Sequence, residues 1–212
     1  MNAFILAGGQ SRRMGRDKAL LGFHGRPLVE NMLTKLRTLG FPSCIVGSRP
    51  DLAGYAPVIP DNYPGSGPLA GIEAALAETN DEMSLFVPVD LPLLPAEFLH
   101  WMAGRARQTS ALATIPRLQG RPQPLCAVYH QALLPDARSA LAAGKPKVMR
   151  AVERAASASR LGIDAFDVET AAASLRPFID WPLAPPVHRW FHNFNTPADL
   201  ECAALEESPY IQ

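Results

Sequence analysis

A pair of glycines followed by a cluster of cations is the part of this chain best equipped for chemistry: Leu6-Ala7-Gly8-Gly9-Gln10-Ser11-Arg12-Arg13-Met14-Gly15-Arg16-Asp17-Lys18. Adjacent glycines permit positive φ and bring bare N–H groups against a base or a phosphate, while guanidinium and ammonium groups match phosphate oxygens. The pattern points to a nucleotide, although Gly8-Gly9 also reads as a plain tight turn beside solvated arginines. It is not a Walker A loop, because Gly9 and Gly15 enclose five residues and Arg16-Asp17-Lys18 follows. The dinucleotide fingerprint G-x-G-x-x-G is absent as well.

A second chemical signal is Asp90, at the end of the apolar run Leu85-Phe86-Val87-Pro88-Val89. A carboxylate at the carboxyl end of a central strand lies in the crevice where open α/β sheets bind ligands, and Mg²⁺ in phosphate chemistry takes one or two carboxylates plus phosphate oxygens. Asp90 is the metal-ligand candidate, with a turn cap before Leu91-Pro92 as the alternative. Asp61 ends the short run Val58-Ile59 ahead of a Gly/Pro-rich loop and suits either a turn or a nucleotide contact. No residue presents itself as a nucleophile: G-x-S-x-G is missing and the five histidines show no metal-ligand or base-pair spacing.

These groups need a scaffold. Apolar runs alternate with helical periods: Ala3–Leu6, then Leu28, Val29, Met32, Leu33, Leu36 and Leu39 stopped by Gly40, then Cys44-Ile45-Val46, a βαβ unit. Val58-Ile59 is followed by a helix opened by Gly67-Pro68 that runs to about Thr79. The run into Asp90 reads as the central strand, buried on both faces of a parallel sheet. Helices are expected from about Ala96 to Arg107 and from Asp136 to Ala143, and strands at Leu112–Ile115 and Leu125–Tyr129, on either side of a loop from Arg117 to Pro124. Residues 157–186 give a weak signal that reads as an irregular excursion, after which Thr196 caps a last helix with Pro197 at N1 and Asp199 at N3.

At 212 residues and 48% hydrophobic content the chain can bury a full core, and we expect one domain spanning 1–212. Twenty basic and twenty acidic residues cancel, which gives no overall reason to bind nucleic acid. Cys44, Cys126 and Cys202 lack C-x-x-C spacing and read as buried thiols. No targeting or spanning segment is visible, so the expectation is a cytoplasmic protein with no membrane partner.

Taken in order, Leu6-Ala7-Gly8-Gly9-x-Ser11-x-Arg13-Met14-Gly15-x-Asp17-Lys18-Ala19-Leu20-Leu21, Asp61, Gly67-Pro68-Leu69-Ala70-Gly71-Ile72, Pro88-Val89-Asp90-Leu91-Pro92 and Asn193-Phe194-Asn195-Thr196-Pro197-x-Asp199-Leu200 resemble the molybdenum cofactor guanylyltransferases. The resemblance implies a single-domain, Rossmann-like, three-layer αβα nucleotidyltransferase fold with a mostly parallel sheet. It implies an enzyme that joins GMP from GTP to molybdopterin with Mg²⁺ and releases pyrophosphate. By the same resemblance Leu6, Ala7, Gly8 and Gly9 face the guanine, Arg13 and Lys18 meet the triphosphate, Asp61 and Gly71 belong to the nucleotide pocket, and Asp90 holds the metal. Arg121, Gln123, Lys147, Asn193 and Asn195 fall on the acceptor side, so the N-terminal half binds nucleotide and the C-terminal half the acceptor. Asn195 also reads as a turn residue, and Lys145 and Lys147 as a solvated pair. Cofactor-delivery proteins and molybdoenzymes are the implied protein partners. Where relatives often carry Asn, this chain has Val46-Gly47-Ser48-Arg49. Alternatives are a cytidylyltransferase for the same cofactor, another nucleotidyltransferase, or a catalytically silent nucleotide-binding or chaperone module.

Overall fold

The computed structural model describes residues 1–8, 17–176, 179, 181, 185–194 and 199. In chain order they form β1 (Ala3–Leu6), β2 (Gly22–Phe23), β3 (Arg26–Pro27), α1 (Leu28–Thr38), β4 (Ser43–Val46), β5 (Val58–Ile59), α2 (Pro68–Glu78), β6 (Met83–Pro88), α3 (Ala96–Thr109), β7 (Ala113–Leu118), β8 (Arg121–Pro122), β9 (Ala127–His130), α4 (Leu134–Ala142), α5 (Val148–Ala158), β10 (Ile163–Asp167) and α6 (Val168–Leu175).

The main sheet runs β10-β7-β9-β6-β1-β4-β5, with β8 paired to β7. The β6 strand lies at its centre, as its apolar run predicts, in parallel register with β1. Its other neighbour, β9, is antiparallel to both β6 and β7, so the sheet is mostly parallel, as expected. Because β9 reverses direction between them, β7 and its parallel neighbour β10 point the same way as β1, β4, β5 and β6. The carboxyl ends of six strands, β10, β7, β6, β1, β4 and β5, therefore share one edge, where β9 begins.

Period-two alternation divides the side chains between two layers of helices. Ala3, Ile5, Leu85 and Val87 pack with α1, α3 and α6 on one face, whereas Phe4, Leu6, Phe86 and Tyr129 pack with α2, α4 and α5 on the other. This is the three-layer α/β arrangement. Helix α2 is buried from Leu69 to Leu76 because it is caught between the sheet and α4, and its small residues allow the close approach.

Three local expectations change. The loop 117–124 contains the β7–β8 hairpin, turned by Gln119 (φ 51°) and Gly120 (φ 73°). Helix α5 buries Val148, Ala151, Val152 and Ala155 at helical spacing. The stretch 157–186 holds β10 and α6, with Asp167 accepting a hydrogen bond from the Thr170 N–H at 2.8 Å as the N-cap. Thr196 and Pro197 lie outside the described residues, as does Cys202; Cys126 is buried and Cys44 half-buried.

Candidate active site

The carboxyl edge collects the predicted groups. At the end of β1, Gly8 meets Gly47, which follows β4 with φ 128°; a Cβ on Gly47 would stand 3.0 Å from Gly8 N and 3.1 Å from its Cα. Glycine is required there by both conformation and contact. On the other side of Leu6, a Cβ on Gly71 would meet Leu6 at 3.2 Å, Val46 at 3.3 Å and the Asp61 carboxylate at 3.6 Å. The absent side chain lets the first turn of α2 settle against the ends of β1 and β4, and brings Asp61 to the same spot. Burial pushes the Asp61 carboxyl above the usual carboxylate range, and no described residue gives it a hydrogen bond or an ion pair.

Lys18 and Asp90, far apart in sequence, meet here: Lys18 Nζ lies 3.5 Å from Asp90 Oδ2, with the side chains 28% and 17% exposed. Each is placed by its neighbours. Asp17 caps the 3-10 turn Lys18–Leu20, accepting from Ala19 N–H at 2.9 Å. Beyond Asp90, Lys35 on α1 donates to the carbonyls of Pro92 and, at 2.8 Å, Leu94, fastening the loop that leaves β6. The Asp90 carbonyl in turn accepts from the N–H of Phe194 at 3.2 Å, and Phe194 is fully buried. That bond brings Asn193 beside the strand end carrying Asp90.

The sequence reading missed Arg49. Its guanidinium pairs with Asp17, binds Asp51 through Nε at 2.9 Å and Nη2 at 2.7 Å, and reaches the Ala7 carbonyl at 3.3 Å. The Asp51 hydrogen bond is the main reason its pKa rises. The signal was present as an arginine three residues past a strand end, in the segment where the expected Asn is missing. Arg49 thus joins the start of the Lys18 turn to β1, and Gly47 accounts for the local backbone.

Of the residues expected on the acceptor side, Arg121 stands on β8 at the same edge, Gln123 donates through its backbone to Pro116 at 2.9 Å, and Lys147 precedes α5. The strand directions bring the β7–β8 hairpin and the loop 144–147 to the carboxyl edge, since α4 climbs from the end of β9 and α5 descends towards β10. Gly9, Arg13 and Asn195 lie outside the described residues.

Among the described residues no group of three or more His, Cys, Asp or Glu side chains is set to hold a metal. A single hard oxygen ligand beside a phosphate site nevertheless fits Mg²⁺, which keeps waters and takes phosphate oxygens for the rest of its shell. Nor is any helix among the described residues long and apolar enough to cross a membrane.

A mostly parallel sheet with a glycine contact, a lysine and a carboxylate gathered at one edge is the arrangement of a nucleotide-handling α/β transferase. Residues 3–159 match the model of the MobA-like NTP transferase domain. A probable molybdenum cofactor guanylyltransferase of Methanothermobacter thermautotrophicus is 32% identical over 206 residues, covering 92% of this chain and 95% of that protein. One from Carboxydothermus hydrogenoformans is 36% identical over 146 residues, 68% of this chain and 73% of that protein. The crystal structure of molybdopterin-guanine dinucleotide biosynthesis protein A from Archaeoglobus fulgidus superposes with a TM-score of 0.74 at 26% identity, over 97% of each chain. The chain belongs to the MobA-like nucleotidyltransferase family, among the molybdenum cofactor guanylyltransferases.

Proposed function

We propose that this protein transfers GMP from GTP to the terminal phosphate of molybdopterin, releasing pyrophosphate and forming the guanine dinucleotide cofactor. The observation that carries the reading is the Lys18–Asp90 pair at the sheet edge, beside the Gly8–Gly47 contact, in a chain whose relatives are named guanylyltransferases.

Attack by a phosphate oxygen on the α-phosphorus brings two anions together, so the protein must align them and neutralise charge. Gly8 offers bare backbone to the base, and Lys18, with Arg13, meets the triphosphate. Asp90 would hold Mg²⁺, which supplies charge neutralisation on the phosphates when bound. In the free protein Asp90 balances the charge of Lys18; nucleotide phosphates are stronger anionic partners and draw the lysine towards them. No protein nucleophile is needed, and direct transfer follows. Residues 1–212 act as one domain, with nucleotide on the β1-β4-β5 half and acceptor on the β7-β10 half. Arg121, Gln123, Lys147, Asn193 and Asn195 contact molybdopterin. The protein works in the cytoplasm, and its product passes to delivery proteins and molybdoenzymes.

The test is turnover with molybdopterin, Mg²⁺ and either GTP or CTP, following pyrophosphate and the dinucleotide product. GTP-dependent product with little from CTP is expected, since each mismatched polar group on the base costs about 1–3 kcal/mol. Equal use of CTP would sink the guanine assignment, and nucleotide binding without any turnover would leave a silent binding module.

A further inference from the structure

Glu73 lies in the middle of α2 and is 1% exposed, a charged residue in a helix buried on every side. Its two oxygens serve different elements: Oε1 accepts from Arg138 Nε on α4 at 2.8 Å, and Oε2 accepts from Asn62 Nδ2 at 3.0 Å. Asn62 directly follows Asp61 at the head of a loop containing Gly65 (φ 78°) and Gly67 (φ 75°). The Asp61 carboxylate has no hydrogen bond or ion pair with any described residue, so its place depends on the backbone around it. A buried carboxylate adds little stability over an apolar side chain of similar size, which directs attention to what its two bonds position.

We propose that Glu73 is a positioning residue of the nucleotide pocket. Through Asn62 it fixes Asp61 against the first turn of α2, and through Arg138 it ties the middle of α2 to α4, the helix leading to the loop 144–147. A neutral amide would turn its NH2 group towards one of the two donors, whereas a carboxylate accepts each with a separate oxygen. The inference rests on the reading of Asp61 as a nucleotide contact.

The test exchanges donor and acceptor. Asn62→Asp faces two carboxylates and is expected to raise the KM for GTP about tenfold with kcat within about threefold, the scale of one charge-assisted hydrogen bond. Asn62→Asp combined with Glu73→Gln restores a donor–acceptor pair and keeps an oxygen for Arg138; KM should return to within about twofold of the parent. Asn62→Ala, which deletes the bond without adding charge, supplies the same comparison if the first variant folds poorly. Asp61→Asn is measured alongside. A parental KM in both Asn62 variants while Asp61→Asn raises it overturns the positioning role and spares the Asp61 reading. A raised KM that the double variant does not rescue marks general disruption and also overturns it. An unchanged KM in Asp61→Asn removes Asp61 from the pocket, and the role of Glu73 with it.

Discussion

Asp90 and Asp61 are both carboxylates at strand ends on one edge, yet their surroundings ask different things of them. Asp90 faces a lysine at 3.5 Å and is the proposed metal ligand. Asp90→Asn should therefore keep the thermal midpoint and most of the GTP affinity while lowering kcat about a hundredfold or more, the scale of losing one aimed electrostatic group. Near-parental turnover in a folded variant would return Asp90 to capping the turn before Pro92. Asp61 has only desolvation, which raises its pKa in the fold above the unfolded value. Its favourable contribution to folding is thus complete below the unfolded pKa and is lost as pH rises through the folded one. Asp61→Asn should consequently raise the thermal midpoint at pH 7, the gain shrinking as pH falls through the raised pKa of the folded state and gone below about pH 4, the ordinary range for the residue, while GTP binding weakens. A midpoint difference that does not change with pH would show that desolvation of this carboxylate is not what the substitution relieves.

Elements decide which glycines matter. Gly47 joins the ends of β1 and β4 at φ 128°, with Gly8 backbone atoms where a methyl group would go. Gly47→Ala should cost about 1–3 kcal/mol and weaken GTP, because backbone cannot swing aside as a side-chain tip can. Gly104 lies inside α3 with nothing within 4 Å of its would-be Cβ. Gly104→Ala should stabilise by about 0.5–1 kcal/mol and leave turnover alone. Chemical denaturation of the two variants checks both signs. The same contrast explains what could be read without coordinates. Strand β1, helices α1 and α2 and strand β6 carry strong apolar patterns punctuated by Gly40 and Pro68, and they appear where expected. Helix α5 has the right spacing, but two of its four buried positions are alanines, too small to stand out. Strand β10 hides because Asp164 interrupts its apolar pattern, a carboxylate the strand can hold because Arg105 of α3 donates to both of its oxygens at 2.7 Å. The Lys18–Asp90 pair could be guessed only from separate strand ends, and the Glu73 bonds not at all, since nothing in Gly-Ile-Glu-Ala-Ala says which oxygen meets which helix.

For the whole molecule, the helices stand in two layers while the groups proposed for the chemistry stay on one edge. Ligand that occupies that edge binds the fold and not the unfolded chain, so it should stabilise the entire protein. Saturation with GTP and Mg²⁺ at about a hundred times Kd should add about 2.7 kcal/mol, read as an upward shift of the thermal midpoint that depends on GTP concentration. The shift should be smaller with Lys18→Ala at the same GTP concentration; an equal shift would place the triphosphate elsewhere.

The reversed strand β9 also governs how the chain can be made. Strands β5, β4, β1 and β6 all come from the first 88 residues and can pair as they leave the ribosome, so the side proposed for the nucleotide is assembled early. Strand β7 is synthesised next but has no seat on that sheet, because its partners are β9, β8 and β10. Only when Ala127–His130 emerge does β9 slide between β6 and β7 and join the two sides. A nascent or truncated chain ending near residue 124 would hold β6 with an open central edge and β7 unpaired with it, the exposed strand surface that invites association between chains. The step that brings the half proposed to bind the acceptor to the carboxyl edge is thus also the step that closes the window for aggregation.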